Sequence, residues 1–357
     1  MSNPSNLHSA VVSGNMDECV IILEAGCQVN EVRPNGSTPL KLAIKSNNLD
    51  ICRVLLDYGA NVNQPFAHDQ LNQYNRRIET TPLQFAIYEK NQDICKLFLE
   101  KGANVNERFS DNTTPLLCAI RFNLIDICTL LLEKGAFMEE SALNLAVDLL
   151  ETDIIDRSFG RSLIGGSEFP SLQMCQLLLE NGAKVNDTTL FHNSNIEIGE
   201  LLLEAGAKVN DMKNKYGETS LHIAARNRNY LYCQWLLDHD ANIHAVSTFG
   251  NTPLHCARDY DIYKLLLDRG ATQFMQNEGG DTPLHFASRG TSLQCCELLI
   301  QFAGFQLAGI KNKKGKKASQ FANSDSIRSY LQQMEKECEK ELEEIQQHFK
   351  RARVEDS

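Results

Sequence analysis

The chain has 357 residues, 42% of them hydrophobic, and a formal net charge of -11. No run of about 18 apolar residues occurs, which excludes a membrane-spanning helix. The acid excess argues against nonspecific nucleic-acid binding, and Met1 to Asn15 lacks a secretory leader's apolar core, so a cytoplasmic protein is expected.

The first predicted element is a helix pair within Asn6 to Asn30, closing on Gly26-Cys27-Gln28-Val29-Asn30. A closing signature, Gly-Ala-x-Val-Asn, returns at Gly59, Gly102, Gly182 and Gly206, each time after a Leu-rich helical stretch, with looser copies at Gly135 and Asp240. Thr-Pro-Leu opens many of the same units, at Thr38, Thr81, Thr114, Thr252 and Thr282. Gly26 and Gly59, like Gly102 and Gly135, stand 33 residues apart. Such a period means an all-α solenoid of about nine to ten stacked helix-turn-helix units with hairpin connectors, in which each unit buries its apolar face against the next. A solenoid exposes a long surface and seldom a deep catalytic pocket.

The unit from Asn214 to His244 shows why each copy folds. Asn214-Lys215-Tyr216-Gly217 suits a tight turn, Thr219 suits a helix N-cap, and Leu221, Ile223, Ala224 and Ala225 form an inward face. Tyr230, Cys233, Leu236 and Leu237 mark the buried face of a second helix. Asp240 replaces the usual closing glycine, at a local cost.

Twelve cysteines raise the question of disulfides or metal. Cys19, Cys52, Cys95, Cys128, Cys175 and Cys233 each precede their closing Gly or Asp by seven residues, so one helical slot is filled by Cys repeatedly. Copies in that slot would stack about 10 Å apart, beyond disulfide or zinc reach. They are expected to be buried thiols, and no metal or cofactor is expected. His8, His222, His255 and His285 also share a slot, which favours an imidazole bonded to the nearby Thr or backbone over a catalytic or metal histidine.

Departures from regularity are better places to seek function. Gln64 to Ile78 lengthens one connector and carries Phe66, Tyr74, Arg76 and Arg77, residue types common among interface anchors. A second insertion, between Leu150 and Ser171, carries Ile154, Ile155, Phe159 and Leu163; it either covers the stack or meets a partner, and it contains no phosphate loop. Flanking connectors shrink after Gly135 and Gly182, where protruding fingers should be missing. Seven residues after each unit's Thr stand Lys45, Tyr88, Arg121, Arg226, Asp259 and Arg289. This ladder, with Tyr216 and Phe249 as anchors on the connector tips, suggests a groove for an acidic peptide or protein face; solvated helix ends are the alternative. The tail from Leu331 through Met334, Cys338, Leu342, Ile345 and Phe349 is a narrow amphipathic helix that docks on the last unit or pairs with another helix. The expected organisation is front repeats over 1–138, irregular middle repeats over 139–210 with the insertion 152–169, back repeats and cap over 211–331, and a charged helical tail over 332–357.

Thr252-Pro253-Leu254-His255-Cys256-Ala257, its copy from Thr282 to Ala287, and the Gly-Ala-x-Val-Asn closures resemble the ankyrin repeat over about residues 5 to 330. That resemblance implies a noncatalytic protein-binding scaffold, most simply monomeric, whose partners dock on hairpin tips and the exposed side of the first helices. The glutamate cluster near the C-terminus also resembles the export signal on ankyrin-type secreted effectors of intracellular bacteria such as Legionella, which implies the alternative of an effector binding a host protein. Asn63, Asn106, Asn186 and Asn210 resemble asparagines hydroxylated in ankyrin proteins. Enzyme signatures H-E-x-x-H, C-x-x-C and G-x-S-x-G are absent, leaving a site at the middle insertion as the remote catalytic alternative.

Overall fold

A threonine whose backbone is extended, followed by a proline with φ already fixed near the helical value, starts a helix without losing a hydrogen bond. In the computed structural model this happens at three copies. Thr38, Thr81 and Thr114 are extended, and their hydroxyls accept from Lys41 N–H at 3.1 Å, Gln84 N–H at 3.3 Å and Leu117 N–H at 3.4 Å. The structure describes residues 6–71, 77–108, 113–148, 172–186, 195–211, 214–290 and 292–355. The chain divides into two compact units, Met1–Lys184 and Val185–Ser357.

The first unit stacks five helix pairs: Leu7–Ser13 with Met16–Glu24, Pro39–Lys45 with Leu49–Asp57, Pro82–Tyr88 with Gln92–Glu100, Pro115–Arg121 with Ile125–Glu133, and Ala142–Asp148 with Leu172–Glu180. The second unit begins with Ile196–Glu204 and continues as Ser220–Arg226 with Tyr230–Asp238, Pro253–Cys256 with Tyr260–Asp268, and Pro283–Gly290 with Leu293–Ala303. A short helix Gln306–Gly309, a 3-10 turn Ala318–Phe321 and a long helix Asp325–Glu355 complete it.

Second helices start on a different cap. Asn15, Asn48, Asn91, Asn229 and Asp259 each accept a backbone N–H three residues on, at 2.9 to 3.2 Å. Leu124 holds the same slot ahead of Ile125–Glu133 and offers no cap. Leu124→Asn is therefore expected to raise unfolding free energy by about 1 kcal/mol, read from the urea midpoint. Helices close in the left-handed region, where Gly59, Gly102 and Gly135 have φ of +88°, +83° and +86°. Asp240 is held there too, at +60°, the strain expected from its missing glycine.

The core runs along the seam between helix pairs. Cys19, Cys52, Cys95, Cys128, Cys175, Cys233 and Cys296 are fully buried, and all twelve cysteines are free thiols. Burial pushes Cys52, Cys95, Cys128, Cys175, Cys233 and Cys296 up to about 12, so at neutral pH they are inert apolar filler. Two second helices depart from Cys in this slot, at Gly199 and Tyr263. Gly199 occupies it in Ile196–Glu204, where a Cβ would fall 2.7 Å from the ring of Trp235. The chain's one tryptophan sits where neighbouring units carry Leu, and its Nε1 donates to Glu200 at 2.5 Å. One large residue and one absent side chain thus fill a single layer.

Tyr263 is also fully buried, and its hydroxyl has no hydrogen-bond partner. Burial holds that phenol well above its usual range. An unpaired buried hydroxyl is destabilising, so Tyr263→Phe is expected to raise stability by about 1 kcal/mol in the same denaturant measurement.

The connector insertion folds as two antiparallel strands, Phe66–Leu71 and Arg77–Thr80, rather than as a plain loop. The insertion between Leu150 and Ser171, with Phe159 and the remote catalytic alternative placed there, lies outside the described residues, as do Tyr74 and Arg76. The connector after Gly135 is short, as expected. Its Glu139 reaches back to accept from Thr114 Oγ1 at 2.7 Å and to pair with Arg108 at 3.4 Å. The terminal helix starts at Asp325, ahead of the expected tail boundary, and docks on the last repeat. Ile327, Leu331 and Cys338 are buried. Lys317 meets Glu339 at 2.9 Å and Glu335 at 3.6 Å, and Gln306 donates to Glu341 at 2.9 Å. A Cβ on Gly309 would fall 2.9 Å from Cys338 Sγ, so the two helices approach closely there and a larger residue would have to displace that thiol.

Candidate protein-binding surface

The best-defined surface lies on the connector tips of the second unit. Each tip is folded by one side chain. Asn214 Oδ1 accepts from Tyr216 N–H at 2.8 Å and Glu218 N–H at 3.0 Å. Asn277 does the same for Gly279 and Asp281, and Asn312 for Lys314 and Lys316. Ser247 takes that role with its hydroxyl. Adjacent tips are then joined backbone to backbone. Thr248 N–H donates to Tyr216 O at 2.8 Å, Glu278 N–H to Phe249 O at 3.0 Å and Lys313 N–H to Gly279 O at 3.0 Å. Gly250 must have no side chain, since its Cβ would fall 2.9 Å from Glu278 N.

This ladder fixes two aromatic rings at the surface. Tyr216 is 46% exposed and Phe249 56% exposed, with centroids 6.4 Å apart and planes 31° apart. The Lys215 ammonium stands 5.0 Å from the Tyr216 ring centre. Farther along the row, Lys313 and Lys314 are exposed on the last tip.

Below the tips, histidines bind each unit to the next. Thr219 N–H donates to His222 Nδ1 at 3.1 Å, and Nε2 reaches Asn251 O at 2.9 Å. His255 repeats this with Thr252 and Asp281 O, and His285 with Thr282 and Lys316 O. A carbonyl only accepts, so Nε2 carries the proton and Nδ1 is the bare acceptor. His8 Nε2 makes the equivalent bond to Ser37 O at 3.2 Å. These are structural imidazoles, as the shared slot implied. Among the described residues no group of three or more His, Cys, Asp or Glu side chains is placed to hold a metal.

The predicted cation ladder looks different in three dimensions. Arg226 pairs with Glu218 of its own connector, donating from Nη1 at 3.1 Å, and also reaches Cys256 Sγ at 3.6 Å. Arg289 pairs with Asp281 at 2.8 Å and lies over Phe321, 4.2 Å from its ring centre. Burial alone would raise the Asp281 carboxyl, but hydrogen bonds from Asn312 and Arg289 and the guanidinium charge outweigh it and hold the group low. Burial likewise opposes Glu218, and its bonds from Arg226 and Asn214 win. Both arginines are thus half of an ion pair eight residues long. They close the base of the tip and are not open cations awaiting an acidic partner. Asp259 is a helix cap.

In the first unit the ladder positions are Lys45, exposed, and Tyr88 and Arg121, both half-buried. Tyr88 packs edge to face on Phe122 at 5.5 Å, and its hydroxyl accepts from Gln84 at 3.2 Å. Phe66 corrects the expectation of an exposed anchor. It is 4% exposed, edge-on to Phe85 at 5.4 Å, with Lys41 Nζ 5.6 Å from its ring centre. Alternation in a strand turned it inward.

The role of the closing asparagines did not emerge from reading the chain. Asn63 Nδ2 donates to Gly102 O at 3.2 Å while its Oδ1 accepts from Asn104 N–H at 2.8 Å. Asn30, Asn106 and Asn210 make the same two-point staple to the following unit. The recurrence of Asn in one register was the available signal.

The family model described as Ankyrin repeats (3 copies) matches residues 2–66, 65–142, 163–247, 189–277 and 240–313. This chain belongs to the ankyrin repeat family. Among curated proteins, this ankyrin repeat chain is 31% identical over 146 residues to a putative ankyrin repeat protein of fowlpox virus (strain NVSL). That match covers 39% of the chain and 36% of the viral protein. It is 29% identical over 103 residues, 27% of the chain, to the human transient receptor potential cation channel subfamily A member 1, covering 9% of the channel. The chain thus spans well under two thirds of either relative. Among the described residues of this ankyrin array, no helix is long and apolar enough to cross a membrane.

Proposed function

We propose that this ankyrin array is a noncatalytic scaffold that binds a partner protein through the tip row and adjoining first-helix face of Val185–Ser357. The observation that carries this reading is the pair of half-exposed rings, Tyr216 and Phe249, held on a hydrogen-bonded ladder rather than on mobile loops. Rigid aromatic anchors at fixed spacing lose little entropy on binding and are the commonest hot spots. Charge selection belongs to Lys215, Lys313 and Lys314 on the tips, which suit a partner placing acidic residues beside an apolar anchor. Arg226 and Arg289 serve as supports for that row. The buried thiols, and His222, His255 and His285 with both ring nitrogens bonded, argue for binding over chemistry.

The test compares capture of cellular proteins by the full chain and by Tyr216→Ala and Phe249→Ala variants, quantified by mass spectrometry. Each substitution is expected to weaken the true partner about 10-fold with unchanged helical circular dichroism. Undiminished capture by the double variant rejects the tip row as the binding face.

A further inference from the structure

Two Asn-Gly steps occur in the sequence, Asn35-Gly36 and Asn181-Gly182. Such a step is the least hindered place for a backbone amide to attack the side chain before it, because glycine has no Cβ in the way and turns freely. The fold treats the two steps differently. Asn35 is exposed on the first connector, one residue before the tip glycine, the position that Tyr216 and Phe249 hold in the second unit. Its Oδ1 accepts from Ser37 N–H at 3.0 Å. Asn181 instead closes the helix Leu172–Glu180, and its N–H and Nδ2 both donate to Leu177 O, at 3.1 and 2.8 Å. Gly182 N–H donates to Leu179 O at 3.0 Å, and Ala183 N–H, the counterpart of Ser37 N–H, is spent on Leu178 O at 2.9 Å.

The Ser37 bond matters because of where charge develops. When the Gly36 nitrogen gives its proton to hydroxide and attacks Asn35 Cγ, negative charge forms on Oδ1, where Ser37 N–H already points. Nδ2 then leaves as ammonia, taking a proton from water, and a five-membered succinimide joins Cγ to the Gly36 nitrogen. Water opens that ring. Breaking the bond from the Gly36 nitrogen to the main-chain carbonyl carbon leaves isoaspartate, and breaking the bond to Cγ leaves aspartate. Nothing is oxidised, and water is the co-reactant. The attack gives up one turn bond, Gly36 N–H to Arg33 O at 2.8 Å, on an exposed tip where water replaces it. Asn61, Asn104 and Asn242 accept the same bond from two residues on, at 2.9, 3.1 and 2.9 Å. Val62, Val105 and Ile243 follow them, and a β-branched side chain obstructs the attack. Among the described asparagines, only Asn35 combines the bonded Oδ1 with a following glycine.

We propose that Asn35 is a self-modification site, deamidating through a succinimide to isoaspartate and aspartate while the protein stays folded. Isoaspartate lengthens the backbone by one atom within the turn that Arg33 N–H closes onto Ser37 O at 3.0 Å. Ser37 O also holds His8 Nε2 at 3.2 Å, the bond that ties the first helix to the second repeat. The reaction therefore ages the array at its first repeat, whatever partner the array binds.

Incubation of the full chain in mildly alkaline buffer, followed by peptide mapping with mass spectrometry, tests this. The peptide holding Asn35 is expected to gain about 1 Da and to become a substrate for a protein isoaspartate methyltransferase. It should do so more than about 10-fold faster than the peptide holding Asn181. In a parallel incubation in concentrated urea the two steps should react at like rates, because the chain then has no fold to tell them apart. A folded protein in which Asn181 reacts as fast as Asn35, an Asn35 peptide without the mass gain, or a gap between the sites that persists in urea overturns the proposal.

Discussion

His255→Ala is expected to lower the unfolding free energy by about 3 kcal/mol, the largest single loss outside the apolar seam. The ring is 2% exposed and joins two units. Its removal strands the Thr252 N–H and hydroxyl, both bonded to Nδ1 at 3.1 and 2.8 Å, and the Asp281 carbonyl bonded to Nε2 at 3.1 Å. It also removes an edge-to-face contact with Phe286 at 5.6 Å. In a stacked array the lost term is a nearest-neighbour one, so the unfolding transition should broaden as repeats on either side uncouple. His255→Gln should recover part of the loss. Gln320, in the same slot, accepts from Lys317 N–H at 3.0 Å, which shows that an amide can make the cap-side bond. Urea melts of the three proteins would check the order wild type, Gln, Ala.

The second large effect is a loss of stability in mild acid. Burial lowers His255 to about 4 and also lowers His8 and His285. Because the folded values lie below the unfolded value near 6.5, the unfolded chain binds more protons between the two. The stabilisation is therefore complete above about pH 6.5, falls as pH drops, and is lost near pH 4. His255 alone accounts for about 3 kcal/mol on this basis, with His8 and His285 adding in the same direction. Glu218 and Asp281, held low in the folded state, also lose stability with acid, but below their ordinary values of about 4, a separate and lower window. Chemical denaturation from pH 7.5 to 4.5 should show the fall in wild type. His255→Gln should flatten the part belonging to that residue.

Much of this was legible in one dimension because a repeat makes each slot report several times. Cys52, Cys95 and Cys128 in one register could only be seam residues, since helices packed about 10 Å apart cannot bring those thiols together. His222, His255 and His285 in another register implied a shared structural bond. Tyr216 and Phe249, one step before a turn glycine, had to lie on tips. The partners of individual charges were not legible. Arg226 and Glu218 are eight residues apart and meet only because the connector folds back over the first helix. Phe66 read as an exposed aromatic beside arginines, and strand pairing at Thr80 turned it onto Phe85.

The amino-acid order alone determined that paired helices stack, where the Thr-Pro helices begin, where the pairs close, and that the recurrent Cys and His slots face the seam. Those features depend on backbone preferences and periodicity, which act between near neighbours. Tertiary structure decided what crosses from one unit to the next: which carbonyl each histidine holds, why position 199 must be glycine beneath Trp235, and where the last helix docks. Each of these depends on the distance between residues about 30 or more positions apart, or on a ring turned inward by a neighbour. No local pattern encodes such distances; they exist only once the stack has formed.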